Sequence, residues 1–322
     1  MKSWCNRAVL FSMLFFTGVQ IVKAAADTIA YPVEPALNVE LVLHQQEIAV
    51  DVTSTAPVAM QFGLIGALVG AAIDNANAQA AEKRVVDIRN LLVDYDFNRA
   101  AEDAVQSAVS SPGISPKPVI TVRKSGWDAV AEQGNAMTGP QQTLLRLIPH
   151  YAIASNFESI KVSLPAYYLQ RTVKDSGKIK ESVIFSRNYS YELPLEKKQG
   201  SGADEDADRW VAIGKDGMAT LIGIGIRQTA DMLAYDFSIE GREQIANAKS
   251  GKTTQFYGKS YRGTVLRETP DYIWVANGKI KARSVIGVQP VAEATAAAHA
   301  TAPEAAQVPA EASVPASEPT KE

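Results

Sequence analysis

The chain has 322 residues, of which 46% are hydrophobic and 21% charged, and its formal net charge is −3. This length allows one large domain or two small ones, and the mild acidity excludes a general attraction for nucleic acid or for an anionic membrane. The only cysteine is Cys5, which excludes a fold held together by disulfide bonds.

The segment 1–26 has the three-part layout of a secretory signal peptide. A short basic lead precedes an apolar run over 8–22, and alanines at 24–26 supply a cleavage site before Asp27. This run is 15 residues long, whereas a membrane-spanning helix needs about 20. We therefore expect a cleaved signal and an exported protein, which resides in the periplasm or is associated with the outer membrane.

Cleavage before Asp27 would remove three basic residues and leave 29 basic against 35 acidic groups, a net charge of −6. The mature chain would then lack a thiol, which excludes a cysteine nucleophile and a thiolate metal site. Its histidines, His44, His150 and His299, lie far apart in the sequence. Because a zinc or iron site usually draws on several such ligands, we expect no metal ion and no cofactor.

Composition divides the mature chain into three segments. We expect an α+β domain over 27–253, a β-meander over 254–288 in the same or a small second domain, and a tail over 289–322. The tail consists almost entirely of Ala, Pro, Glu, Val, Ser and Thr. Such a segment cannot bury enough apolar surface to offset its ordering entropy, so the tail is predicted to be disordered.

In the first half of the domain, hydrophobic periodicity predicts both strands and helices. In chain order these are one bent or two short strands over 39–52, a helix over 58–93, a second helix through Val109 and a strand over 118–123. Asp96 or Asn98 is the expected N-cap of the second helix, because its side-chain oxygen can accept a hydrogen bond from a free backbone N–H.

The second half is predicted to contain three strands and then a helix. The strands over 144–153, 160–170 and 183–193 are separated by polar turns, and in the second and third of them aromatic and β-branched residues recur at strand spacing. An acidic loop over 200–208 is expected before a helix over 217–237 that Asp216 would cap. The apolar-to-small stripe of this helix consists of Met218, Leu221, Ile222, Gly225, Thr229, Met232 and Leu233.

The folded part is predicted to end in a three-stranded meander over 261–267, 272–276 and 279–283. The dipeptide Asn277–Gly278 would supply the two positive φ values of a type I′ hairpin turn. The whole order of strand, long helix, strands, helix and strands predicts an α+β fold, in which helices pack on a mostly antiparallel sheet.

The least ordinary feature of the chain is a ridge of small residues in the 58–93 helix. On a helix, Gly63, Gly66, Ala67 and Gly70 form adjacent rows without side-chain bulk. Each glycine costs about 1 kcal/mol of helix propensity relative to alanine, so we expect a close approach to this face. Three partners are compatible with it: another part of the same chain, a second copy, or a membrane.

The length of the apolar stretch distinguishes among these partners. It covers only the 14 residues of 60–73 and is followed by a strongly polar continuation. A helix of that length is too short to span a bilayer, which needs about 20 apolar residues. The pattern therefore favours a buried helix, with self-association or reversible membrane insertion as alternatives.

Two motifs match ligand-binding loops incompletely. Residues 246–253 resemble a phosphate-binding loop, but Ala246 replaces its first glycine, and a strand follows instead of a helix. We expect a basic turn there. The acidic residues of 204–208 alternate as in a calcium loop, but Arg209 and Lys215 occupy the positions that need Gly and Glu. A solvated loop is the simpler interpretation.

Other candidate site residues also have simple structural explanations. Asp94 and Asp96 would suit a paired-carboxylate hydrolase, but an exposed helix stop is the more common use of such a pair. Tyr189 and Tyr191 share one face of a strand, and half-buried strand packing explains them more simply than a ligand groove does.

One segment carries a resemblance, and it reads FGLIGALVGAAIDNANAQAAEKRVVDIRNLLVDYDF. It is similar to a segment of uncharacterised exported proteobacterial proteins, which also begin with a signal and carry this glycine-rich opening. The later order of strands, Arg209, Trp210 and a helix is distantly similar to periplasmic accessory proteins of envelope assembly. These resemblances imply an envelope location, and they transfer no catalytic residue.

We therefore predict a non-enzymatic periplasmic or cell-envelope accessory or binding protein, whose 58–93 helix serves tight packing or self-association. The expected partner is another protein or a second copy in the envelope, without nucleic acid, and peripheral membrane contact is left open. One alternative is a membrane-inserting or oligomerising protein. The other is a carboxylate-dependent hydrolase around Asp94 or the 200–208 loop.

Overall fold

The computed structural model describes residues 37–45, 47–51, 75–111, 114–115, 117–124, 141–249, 251–279 and 282–291. The predicted signal peptide, the ridge of Gly63, Gly66, Ala67 and Gly70, and the chain beyond Val291 lie outside these residues. Within them, the predicted α+β class is confirmed, with a mostly antiparallel sheet and a C-terminal meander.

Four helices and twelve strands are formed by the described residues. The helices are α1 Asn75–Leu91, α2 Phe97–Val109, α3 Ala203–Phe237 and α4 Ile239–Ala246. The strands are β1 Asn38–Leu43, β2 Ala49–Asp51, β3 Val119–Lys124, β4 Gln141–Leu147, β5 His150–Ala154, β6 Ser159–Val173, β7 Ile179–Pro194, β8 Thr253–Phe256, β9 Lys259–Arg262, β10 Thr264–Glu268, β11 Ile273–Lys279 and β12 Ala282–Val288.

Ten of these strands form one mixed sheet in the order β10-β11-β12-β7-β6-β4-β1-β3, with β5 paired to β6 and β2 to β5. The long β6–β7 hairpin is its centre, with Ser159 opposite Pro194 and Val173 opposite Ile179. Strand β12 joins the meander to this hairpin by parallel pairing with β7. Strands β8 and β9 form a separate two-stranded hairpin.

Helix α3 covers the central hairpin, and α1 and α2 pack beside it. All seven members of its predicted stripe are buried, which confirms that stripe. One of them, Gly225, faces β6 so closely that an added Cβ would lie 2.5 Å from Val162 Cγ2. On α1, the residues Ala81, Val85 and Ile88 are buried in the same apolar core as β1. One side of this helix is therefore buried.

The N-cap of α2 follows the local prediction. Asp96 Oδ1 accepts a hydrogen bond from the backbone N–H of Arg99 at 2.9 Å. The preceding helix α1 ends at Leu91, close to the end predicted at 93. Both features depend on residues within one helical turn, which is why the sequence pattern finds them.

Three boundary predictions are wrong. The acidic stretch expected as a loop over 200–208 instead enters α3 at Ala203, where negative side chains favour the N-terminal end of the helix dipole. The start of α3 expected at 217, with Asp216 as its N-cap, is therefore also wrong, although the helix has a break nearby at Gly214, where φ is 76°. The strand expected over 144–153 is divided at Ile148–Pro149 into β4 and β5, because proline lacks the N–H that a central ladder needs.

The meander hairpin is confirmed, but the prediction of Asn277–Gly278 as its turn is wrong. The register pairs Gly278 with Arg283 and Lys279 with Ala282, so the dipeptide lies within β11. A turn at 277–278 would place Lys279 opposite Ala276, which is fully buried. The observed register places Val285 there instead, because burial of one face outweighs a favourable turn sequence.

The described residues also extend into the segment that was assigned to the tail, as far as Val291. The backbone N–H of Gln289 donates to Glu192 O at 3.0 Å, and that of Val291 to Pro194 O at 2.8 Å. Tyr191 also donates its hydroxyl proton to Gln289 Oε1 at 2.8 Å. The last residues before the Ala/Pro/Glu-rich composition are therefore held alongside β7.

Candidate binding surface

The two carboxylates considered for a hydrolase site have separate structural partners. Asp94 Oδ2 lies 2.7 Å from Lys215 Nζ, and the Asp94 side chain is 71% exposed. Asp96 caps α2. This geometry matches the helix-stop explanation, because each carboxylate has its own structural partner.

The acidic residues of 204–208 are likewise engaged in structural contacts. Asp204 forms an exposed ion pair with Arg84 of α1, and this hydrogen bond holds the pKa of Asp204 below its usual value. Asp206 lies 2.8 Å from the buried Arg209, which also donates to Glu196 O at 2.6 Å. No group of three or more His, Cys, Asp or Glu among the described residues is placed to hold a metal ion.

A buried polar cluster, which local sequence patterns do not reveal, ties α3 to β7. Arg187 Nε lies 2.8 Å from Asp236 Oδ2, and the two side chains are only 1% and 0% exposed. Tyr189 donates its hydroxyl proton to the same oxygen at 2.7 Å. The Arg187 guanidinium also lies 4.9 Å from the centre of the Phe185 ring. A carboxylate committed to two buried donors serves structure rather than proton transfer.

A second buried carboxylate links three neighbouring strands at the β3 side of the sheet. Glu40 on β1 forms ion pairs with Arg123 on β3, at 2.6 Å, and with Arg146 on β4. All three side chains are mostly buried. The sequence separates Glu40 from Arg146 by 106 residues, so no local pattern would have found this cluster.

His150 gives the fold a predicted sensitivity to acid. Burial lowers the pKa of His150 to about 4, with smaller contributions in the same direction from His44 and Lys161. The unfolded chain, with an ordinary pKa of about 6.5, therefore takes up the proton first as the pH falls. The stability that comes from keeping His150 neutral is fully present above pH 6.5 and declines towards pH 4. By pH 5 the free energy of unfolding has fallen by about 2 kcal/mol.

Urea denaturation of wild type and His150→Gln at neutral pH and at pH 5 tests this expectation. The wild type should lose more unfolding free energy than the variant between the two conditions. Carboxylates titrate equally in both proteins, so the difference isolates the imidazole. Equal losses in both proteins would contradict the expectation.

The most distinctive exposed feature is the β8–β9 hairpin. Its two-residue tip consists of Tyr257 and Gly258, with φ values of 48° and 70°, as a type I′ turn requires. On its inner side, Phe256 and Tyr261 pack against the buried cluster of Ile273, Val275 and Val288. The hairpin is therefore fixed to the sheet by its inner face, while its tip faces solvent.

The tip residue has an unusual conformation for its size. Tyr257 is 62% exposed, and its ring meets Phe256 edge-on at 5.0 Å between centroids. A left-handed backbone costs about 1–2 kcal/mol for a residue other than glycine. An exposed, strained aromatic residue is more often retained for function than for packing.

The charge around this tip is positive, whereas the net charge of the whole chain is negative. The segment 249–263 carries four basic residues and no acidic one. Lys252, Lys259 and Arg262 are exposed. Lys259 has a counter-charge in Glu158, whose Oε2 lies 3.9 Å from Lys259 Nζ in an ion pair about half exposed on both sides. We name Lys252, Tyr257, Lys259 and Arg262 the hairpin surface.

The structure places the predicted basic turn at the base of this hairpin. Helix α4 precedes it and β8 follows it, the reverse of the order that a phosphate-binding loop needs. The tip at Tyr257–Gly258 was not predicted. The sequence does contain a signal for it, because Gly258 lies between two short runs of alternating residues. Tyrosine at the first tip position weakened that signal, because asparagine, aspartate or glycine usually occupies it.

The meander edge beside the hairpin is covered by an arginine. Arg267 on β10 lies 4.2 Å from the ring centre of Trp274 and 5.6 Å from that of Tyr235. Trp274 also donates from its indole to Gln228 Oε1 at 3.0 Å and is fully buried. This stack closes the tryptophan from solvent and leaves a charged residue on the edge strand, which discourages edge-to-edge aggregation.

Comparison with other proteins does not assign a family or a function to this chain. No protein-family model matches the chain, and searches of curated proteins and of solved structures found no match. Across the described residues, none of the helices has both the length and the apolar character that crossing a membrane requires.

Proposed function

We propose that this chain is a non-enzymatic binding protein of the cell envelope, exported to the periplasm, which docks on an envelope component through the hairpin surface. The observation that carries the proposal is the exposed, left-handed Tyr257 among basic residues in an otherwise acidic chain. Export is supported by the signal-like segment 1–26.

The roles of the buried acidic residues support binding over catalysis. Glu40, Asp206 and Asp236 each pair with at least one arginine and connect separate elements or turns of the fold. A catalytic carboxylate needs access to a substrate and a proton. The hairpin surface, in contrast, is exposed and is held on a rigid sheet, as a docking element should be.

Self-association through Gly63, Gly66, Ala67 and Gly70 remains an alternative that rests on sequence alone. Light scattering of the mature protein and of Gly66→Leu/Gly70→Leu tests it. If both proteins are folded and monomeric, self-association through the ridge is excluded. Reversible membrane insertion of the same segment predicts release from membranes by detergent and not by salt.

The docking proposal predicts loss of envelope binding when the hairpin charges are reversed. Purified mature protein would be sedimented with envelope fractions, and compared with Lys252→Glu/Arg262→Glu. We expect at least a tenfold loss of bound protein, because two attractive charges become repulsive. The matched control is Lys174→Glu/Lys178→Glu, which reverses two exposed lysines at the tip of the β6–β7 hairpin and should bind like wild type.

Circular dichroism and the unfolding midpoint would establish that each variant is folded. Equal binding by the hairpin variant and wild type would remove the hairpin surface from the proposal. Failure of the wild type to bind any envelope fraction would overturn the proposed function itself.

A further inference from the structure

We propose that the ligand of the hairpin surface is an anionic phospholipid membrane, with basic side chains on the headgroup phosphates and the Tyr257 ring at the boundary between water and lipid. The inference rests on the proposed function, because it names the chemical class of the envelope component. It assigns a peripheral, reversible contact and not a membrane-spanning one.

The distribution of charge supports a lipid headgroup surface. Lys252 and Arg262 flank the base of the hairpin and Lys259 flanks its tip, and all three are exposed. Each lysine or arginine near an anionic membrane strengthens binding about fivefold. Lys252 and Arg262 together are therefore worth about 25-fold, enough for a contact that high salt reverses, and Lys259 adds less because it pairs with Glu158.

The shape of the tip favours a planar surface over a protein partner. Tyr257 is the one large apolar side chain exposed along the described part of the hairpin, and Gly258 beside it has no side chain to hold a surface away. A specific protein interface buries about 800 Å² on each partner, whereas a single ring offers far less. Tyrosine is also enriched at membrane–water interfaces, where its ring and hydroxyl meet different environments.

The net charge of the mature chain does not prevent this contact. Electrostatic interactions in solution are screened within about 8–10 Å at physiological salt, so the membrane responds to the charges nearest to it. Along the hairpin, Glu158 Oε2 opposes this attraction at 3.9 Å from Lys259 Nζ. Removing that carboxylate should therefore strengthen membrane binding, whereas removing an acidic residue elsewhere should not.

The experiment measures partition of the purified mature protein into vesicles by sedimentation. One vesicle type contains phosphatidylcholine alone and the other contains phosphatidylcholine with phosphatidylglycerol. We expect binding to the anionic vesicles only, and release at an ionic strength of about 1 M, where the screening length falls to roughly 3 Å.

Single substitutions then assign the contact to named residues. Lys252→Gln and Arg262→Gln should each lower the partition about fivefold, and Glu158→Gln should raise it. The matched control Lys174→Gln/Lys178→Gln should leave it unchanged. Tyr257→Asn should lower the partition while the unfolding midpoint stays equal or rises, because asparagine tolerates the left-handed conformation better than tyrosine.

Each outcome decides between the lipid and its competitors. Equal binding to both vesicle types, absence of binding, or insensitivity to the hairpin variants would overturn the lipid inference. If vesicles fail while envelope sedimentation still depends on the hairpin charges, the proposed function stands and the ligand is an acidic polypeptide. If both fail, the proposed function falls as well.

Discussion

Replacement of Asp236 by Asn is expected to destabilise the protein by about 3–5 kcal/mol, because Arg187 would keep a buried charge after losing the carboxylate that balances it. The two side chains are 2.8 Å apart and almost wholly inaccessible to solvent. Asparagine preserves the shape of the side chain, so the loss would be electrostatic. Urea denaturation at neutral pH measures the change in the free energy of unfolding.

Two tyrosines provide a matched comparison for the same cluster. Tyr189 donates to Asp236 Oδ2 at 2.7 Å, whereas the buried hydroxyl of Tyr151 has no hydrogen-bond partner in the structure as described. Tyr189→Phe should cost about 1.5–3 kcal/mol, since it removes a hydrogen bond to a charged group. Tyr151→Phe should be neutral or slightly stabilising, because it removes an unsatisfied polar group.

Two results would contradict the stabilising role of the cluster of Arg187, Tyr189 and Asp236. If Asp236→Asn is nearly neutral, or if the two tyrosine substitutions have equal effects, the buried cluster is not what ties α3 to β7. Apolar packing alone would then account for the stability of the contact between α3 and β7.

Replacement of Gly225 by Ala is expected to destabilise the protein through a clash between α3 and β6. The new Cβ would lie 2.5 Å from Val162 Cγ2 and 2.9 Å from Val162 Cβ, whereas normal carbon contacts are about 3.5–4.0 Å. Helix α3 would have to move away from β6, at a cost of about 2–3 kcal/mol. A helical glycine would otherwise gain from alanine, so the sign of the effect is itself diagnostic.

Gly223, two residues earlier on the same helix, is the matched control. An added Cβ there would lie 3.4 Å from Arg227 Nη1 and 4.0 Å from Tyr95 Oη, which are ordinary contacts. Gly223→Ala should therefore stabilise the protein by about 0.5–1 kcal/mol. Thermal unfolding of both variants distinguishes the two sites, and effects of the same sign would contradict the close approach at Gly225.

Relief of the clash by a second substitution provides an independent check. Val162→Ala removes the nearer of the two carbon atoms and leaves the Cβ at 2.9 Å in place. In a double-mutant cycle, the two substitutions together should therefore cost less than the sum of their separate effects. Additive losses would show that Val162 is not the obstacle.

Local patterns in the sequence predicted much of the framework and little of the candidate site. The α3 stripe and the Asp96 cap were found because each depends on residues within a few positions of one another. The hairpin surface was found only in part, as a basic turn. Its tip conformation was missed because the sheet beneath the hairpin, and not the preference of Tyr257, holds that turn in place.

The sequence by itself determined the class of fold, the main buried helix stripe and the order of most elements, because periodicity, capping and composition act over one or two turns of chain. Tertiary structure alone decided the register between β11 and β12, the close approach at Gly225 and the pairing of Arg187 with Asp236. These features join residues that are distant in the chain, as the 49 positions between Arg187 and Asp236 illustrate. Burial and charge compensation select them only once the helices and the sheet have met.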